Sequence, residues 1–164
     1  RLKDLIWATD LLTCIRPDFH FLIIGSGSQL SRLHRFASLT EAGSHVHFLS
    51  HPEPSLIQGL DFYWHPHFQE PISANLMSAM AAEIPSIAVY GEGTEEIIRH
   101  QETGFAVNFG ARDEFARWTK FLIEKPNEAK ILARQGRELV ERMFPAKSMV
   151  NGYLTLYDRK LKST

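Results

Sequence analysis

The chain has 164 residues, 44% hydrophobic and 23% charged, the balance of an ordinary soluble domain with a buried core. Its 18 Lys+Arg and 19 Asp+Glu leave a formal net charge of -1, spread along the chain, which argues against a nucleic-acid partner. The one cysteine, Cys14, excludes an intrachain disulfide and favours a reducing compartment, and no apolar run approaches the ~20 residues that span a bilayer.

In chain order, DLIWATDLLTC (4–14) repeats apolar residues at helical spacing, Leu5, Ala8 and Leu12, and predicts a helix with Cys14 in its core-facing pattern. Pro17 and Asp18 end it. FHFLIIG (19–25) is a short apolar run closed by glycine, as expected of a buried strand in a parallel sheet. Ser28 is placed to cap a helix over 29–39. VHFLS (46–50) predicts a second strand, Pro54 opens a short helix ending near Gly59, and DFYWHPH (61–67) predicts a third strand. A helix over 73–83 leads to a fourth strand, SIAVY (86–90), then a turn at Gly91 and Gly93, a short helix TEEIIRH and a fifth strand, FAVNF (105–109). The remainder reads as three helices, 111–125, 126–143 opened by Pro126, and 145–162 opened by Pro145.

This alternation predicts an α/β fold, a Rossmann-like doubly wound parallel sheet flanked by helices, in a single domain over 1–164 without internal repeat or linker. The basic cluster Arg159, Lys160 and Lys162 reads as a solvated helix end, with membrane contact at most peripheral. The chain starts at Arg1 already inside a helical pattern, and the expectation is a fragment of a longer protein.

Doubly wound sheets bind ligands beyond the carboxyl ends of their strands, so the candidate loops are 25–28, 50–54, 66–74 and 90–94. Gly25 and Gly27 allow a tight turn and close approach of a ligand to the backbone. A nicotinamide or flavin fingerprint would need a third glycine where Leu30 stands and an acid where Ser50 and His51 end the next strand. His45/His47 and His65/His67 are i,i+2 pairs that share a strand face. Each pair can grip a metal, yet no third ligand is evident beyond Glu70 near the second pair, so rim histidines are expected rather than a metal centre. No G-x-S-x-G elbow supports Ser-His-Asp catalysis.

Glu70 follows a strand and precedes a helix opened by Ile72, Ser73 and Ala74. Their N–H groups, at a helix N-terminus, suit a phosphate, and the carboxylate beside them suits sugar hydroxyls. The alternative is that Glu70 only complements the helix dipole at a solvent edge.

The order of these motifs, an apolar strand with GxG, V-x-F-L, E-P-I-S, L-M-x-A-M-A-A-x-I-P, G-x-x-x-E-x-I-I and T-G-F-A-V, resembles the C-terminal domain of family 4 glycosyltransferases with the GT-B fold. The resemblance covers nearly the whole chain, with LTLYDRKL similar to the helix closing that domain. It implies a nucleoside diphosphate sugar as donor substrate, retaining hexosyl transfer to an acceptor hydroxyl, no cofactor and no obligatory metal. It also implies a cytoplasmic enzyme of carbohydrate biosynthesis whose acceptor site lies on a missing N-terminal Rossmann domain, so that the fragment alone is inactive. By resemblance Glu70 is the catalytic-site acid on the donor sugar, the amides of Ile72, Ser73 and Ala74 face sugar and diphosphate, and the loop near Ser50 and His51 lies beside the nucleotide base; the turn at Gly25 is a further donor-binding candidate.

Three positions depart from the family pattern. A second glutamate, which would hold the ribose, is replaced by Ser78, at a cost of ~1–2 kcal/mol in donor binding. Ser73 and Glu83 stand where glycines are usual. These departures also fit a non-catalytic sugar-nucleotide-binding or scaffold domain. A two-component-receiver module fits less well, because the third strand ends in His65-Pro66-His67 instead of a phosphoacceptor acid.

Overall fold

The computed structural model describes residues 1–51, 53–68 and 73–161. Among them the first part of the chain runs α1 (Leu2–Thr13), β1 (Phe21–Ile24), α2 (Leu30–Ala37), β2 (Val46–Leu49), β3 (Tyr63–His65) and α3 (Ala74–Ala81). There follow β4 (Ser86–Val89), β5 (Phe105–Val107), α4 (Arg112–Glu124), α5 (Pro126–Met143) and α6 (Ala146–Leu161), while Glu41–His45 and Pro54–Gly59 form 3-10 turns. All five apolar runs are strands, and every strand pairing is parallel. The architecture is α/β, with parallel sheets flanked by helices.

The ladder comes in two parts, β1-β2 and β3-β4-β5. The neighbouring edges meet through side chains, with the Phe19 and Phe21 rings 5.8 and 5.1 Å from that of Trp64. Helix α1 ties the parts together. Its Leu5, Ala8 and Leu12 pack with Trp64, Ile87, Val89 and Phe105, while Ile6, from the same helix, packs with Ile23, Leu33 and Val46. That division follows from helical geometry, because two neighbouring stripes of one helix face two neighbouring sheets.

Strand β4 shows why the fold has two helical layers. All four of its residues are buried. Ile87 and Val89 enter the core with α1 and α4, whereas Ala88 points the other way, to Leu76 and Met80 of α3 and Val140 of α5. A strand covered on both faces loses the polar alternation of an exposed one, which is why SIAV reads as a continuous apolar run.

Several local expectations are corrected. Cys14 is exposed, because it is the C-cap of α1 and its thiol turns back to the carbonyl of Asp10 at 3.4 Å. The N-cap of α2 is Gln29, not Ser28, and no side chain caps it. TEEIIRH forms turns instead of a helix, since two buried threonines hold it. Thr94 Oγ1 donates to the carbonyl of Val89 at 2.7 Å, and Thr103 Oγ1 donates to that of Ile97 at 2.7 Å. The 3-10 turn at Glu41–His45 was not expected; Asp10 of α1 accepts the Ala42 N–H at 2.9 Å and so pins it from 32 residues away.

Glu83 follows α3 with φ 57, a left-handed conformation that favours glycine, and its carboxylate meets Arg137 of α5 at 3.4 Å. A glycine would adopt this conformation at no steric cost, whereas glutamate carries the strain of its Cβ there. Helix α6 differs from the others, with none of its residues buried and a stripe of Met149, Val150, Tyr153, Leu154, Tyr157 and Leu161 open. No helix among the described residues is long and apolar enough to cross a membrane.

Candidate functional site

Parallel strands bring their carboxyl ends to one edge of each sheet. Arg1, at the start of α1, places its guanidinium 4.4 Å from the Phe109 ring, just beyond β5. Because α1 turns through a short link into β1, its start lies toward the carboxyl end of that strand, so both sheets open onto a common rim.

At the β1 end, Gly25 and Gly27 have φ 141 and 150, conformations that a side chain resists. A Cβ on either would meet nothing within 4 Å, so the glycines serve the turn and leave open space above it. The Gly25 N–H donates to the Leu49 carbonyl at 2.9 Å, which ties this turn to the end of β2, where Ser50 and His51 are exposed. Three of the expected donor-contacting positions therefore sit side by side.

At the β3 end, Glu70 and Ile72 lie outside the described residues. Both of their flanks are fixed. On one side the Phe68 carbonyl and ring stand 2.5 and 2.9 Å from where a Cβ on Gly91 would be, a close approach that any larger residue would push apart. The Phe68 ring also lies 4.8 Å from that of Phe109. On the other side Ser73 is the buried N-cap of α3, in extended backbone, and its carbonyl accepts the Met77 N–H at 3.0 Å. Among the described residues no side chain caps α3, whose first turn carries N–H groups of the kind that suit an anion.

Ala74 and Ser78 are exposed one turn apart on α3. Ser78 Oγ donates to the Ala74 carbonyl at 2.8 Å, so its proton is used within the helix and only its lone pairs face outward. A hydroxyl in that state can accept a hydrogen bond from a ribose but brings no charge to it. Neither Phe68, Phe109 nor the Gly91 approach was legible beforehand as part of the rim. The glycine in G-x-x-x-E was the available signal. Shallow hollows elsewhere, one against Leu12 and Ile123 and one beside Phe48, lie away from these residues.

The open glycine turn, the exposed Ser50 and the start of α3 thus lie at the carboxyl ends of parallel strands, the edge at which α/β sheets hold ligands. Residues 1–139 match the family model of glycosyl transferases group 1, and the chain belongs to that family. The chain is 32% identical over 149 residues to the putative glycosyltransferase EpsD of Bacillus subtilis (strain 168), covering 90% of this chain and 39% of that protein. Among solved structures it resembles Anabaena HepE in complex with UDP-glucose, with a TM-score of 0.87 at 21% identity over 95% of this chain and 44% of that one. It also resembles the C-terminal domain of the group 1 glycosyl transferase LpcC from Francisella tularensis, with a TM-score of 0.78 at 20% identity, covering 87% of this chain and 78% of that one. The chain spans about two fifths of the length of the curated relatives it matches.

Proposed function

We propose that residues 1–164 form the donor-binding C-terminal domain of a family 4, retaining GT-B enzyme that moves a hexosyl group from a nucleoside diphosphate sugar to an acceptor hydroxyl. The observation that carries this reading is the shared rim, where the open Gly25 turn and the start of α3 lie at the carboxyl ends of parallel strands. Family membership and the UDP-glucose bound by HepE support it. In the proposed complex Glu70 accepts hydrogen bonds from sugar hydroxyls, the amides of Ile72, Ser73 and Ala74 meet sugar and diphosphate, and Gly25, Ser50, His51 and Ser78 border the nucleoside. Catalysis on such a site is positioning plus electrostatic help for the departing diphosphate, and neither a cofactor nor a resident metal enters the proposal.

The acceptor site belongs, on this reading, to an N-terminal Rossmann domain of the full-length protein, and this domain alone does not complete transfer. The bare apolar stripe of α6 supports that division, since an exposed face of Met149, Tyr153, Leu154 and Tyr157 fits burial against further protein. A cytoplasmic location, with membrane contact at most peripheral, accompanies the proposal. The second reading, a binding domain without turnover, is favoured by one observation: Ser78 spends its proton inside the helix.

Calorimetric titration of the purified protein with UDP, GDP, ADP and their sugars tests the donor claim. One base is expected to bind saturably, and Ser78→Glu is expected to tighten that ligand about tenfold by restoring a charge-assisted bond. No saturable binding of any of these nucleotides at millimolar concentration would exclude the donor role, and binding without transfer by the full-length protein would favour the second reading.

A further inference from the structure

Among the described residues β5 is an outer strand of its sheet, with β4 on one side and no strand on the other. Alternate residues of a strand turn their N–H and C=O groups to opposite edges. The Tyr90 N–H donates to the Val107 carbonyl at 2.8 Å, so Val107 faces β4. Gly104, Ala106 and Asn108, at the alternate positions, therefore turn their polar groups outward. An outer edge of this kind is a template on which another strand can pair. The strand sequence FAVNF carries no charge, lysine or proline of the sort that ordinarily blunts such an edge.

Side chains from neighbouring segments supply what the strand lacks. At its start the Gln101 N–H donates to the Gly104 carbonyl at 2.9 Å, and His100 forms a single parallel bridge with Gly104. The Ala106 N–H donates to His100 Nδ1 at 3.2 Å. At the other end the Asn108 N–H donates to Glu114 Oε2 at 2.8 Å, and the Asn108 side-chain amide reaches the same carboxylate at 3.4 and 3.5 Å. Both outward N–H groups are thus taken, one by a residue of the loop before β5 and one by the first turn of α4. Both acceptors are held in place. The His100 ring stands edge-on to Phe105 and Trp118, at 5.7 and 5.2 Å between ring centres, and Trp118 stacks on Phe105 at 4.2 Å. Gln101, with φ 65, carries the steric cost of the turn that folds His100 back along the strand. Glu114 is half-buried on a helix that packs against β5.

We infer that His100 and Glu114 close the outer edge of β5, and that the partner they exclude is the same edge of a second copy of this chain. Two such edges related by a two-fold axis run antiparallel and present the same residues to each other, so the surface is complementary to itself once its N–H groups are free. Neither side chain belongs to the donor rim, and the inference stands apart from the donor reading.

The test follows exchange and association in the purified protein. In His100→Ala/Glu114→Ala the Ala106 and Asn108 amides lose their acceptors, and at low protein concentration their hydrogen exchange is expected to quicken about tenfold or more. Sedimentation velocity on the same variant is expected to show a mean mass that climbs with concentration above that of the native chain. His100→Gln/Glu114→Gln keeps an acceptor oxygen on each side chain and is expected to match the native protein in both measurements. Circular dichroism checks that the variants are folded, and the single alanine variants repeat the exchange test at one amide each. Unchanged exchange at the two amides, a double alanine variant no more associated than the native chain, or equal association of the alanine and glutamine variants overturns the inference.

Discussion

Glu70→Ala in the full-length enzyme is expected to lower turnover about a hundredfold while leaving Tm within experimental error. A carboxylate that accepts hydrogen bonds from two hydroxyls of a bound sugar contributes roughly 1.5–3 kcal/mol per charge-assisted bond, and alanine removes it without replacement. Gly91 allows β4's loop to approach Phe68, and Ser73 is buried at the start of α3, so the short span between them has fixed anchors at the rim. Glu70→Gln should fall between alanine and the native residue, since an amide oxygen still accepts but brings no charge. Steady-state rates with saturating donor provide the check. Activity within twofold of the native enzyme would reduce Glu70 to an N-terminal dipole partner of α3.

Trp64→Ala is expected to be the most damaging single change to stability, at about 3–5 kcal/mol. Trp64 is where the two sheets meet: its ring touches Phe19 and Phe21 of the β1 side and lies 5.6 Å from Phe115 of α4. Its indole N–H donates to Thr119 Oγ1 at 2.8 Å, in a fully buried pair. Removing the ring therefore leaves a cavity between the ladders and withdraws the donor from a buried hydroxyl at once. A fall in Tm of about 10 °C or more is expected by thermal melting. Trp64→Phe should recover most of the packing and leave a deficit of about 1–2 kcal/mol for the lost hydrogen bond. Equal losses for the two variants would place the energy in the hydrogen bond instead of the packing.

SIAV was legible because both faces of β4 are covered, while FLII kept its apolar run although Ile24 is exposed at the end of β1. The helices were legible from their stripes and prolines, as with Pro126 at the first turn of α5. Features set by individual hydrogen bonds and helix ends were not. Cys14 shares a helical pattern with Leu5 and Leu12, but pattern alone does not reveal that the helix stops one residue earlier. The Thr94 and Thr103 hydroxyls that keep TEEIIRH out of a helix act through bonds to the Val89 and Ile97 carbonyls, five and six residues back. Local hydropathy carries no trace of such bonds.

The same holds for sites. Gly25 declared itself through the glycine pair at a strand end, and its φ of 141 gives the physical reason. The His45/His47 pair was visible as a face-sharing doublet, but the contact of His47 with His20, 27 residues away, emerges only from the β1-β2 register. The departures at Ser78 and Glu83 were legible as substitutions, and their physical content came with the coordinates: one spends its proton on Ala74, the other sits at φ 57 against Arg137.

A crystal structure of the full-length protein with its preferred nucleoside diphosphate sugar tests the donor assignment most directly. The sugar hydroxyls are expected within hydrogen-bond reach of the Glu70 carboxylate, and the diphosphate over the first amides of α3. A donor seated at the amino ends of the strands, or a Glu70 side chain directed away from the bound sugar, would contradict it.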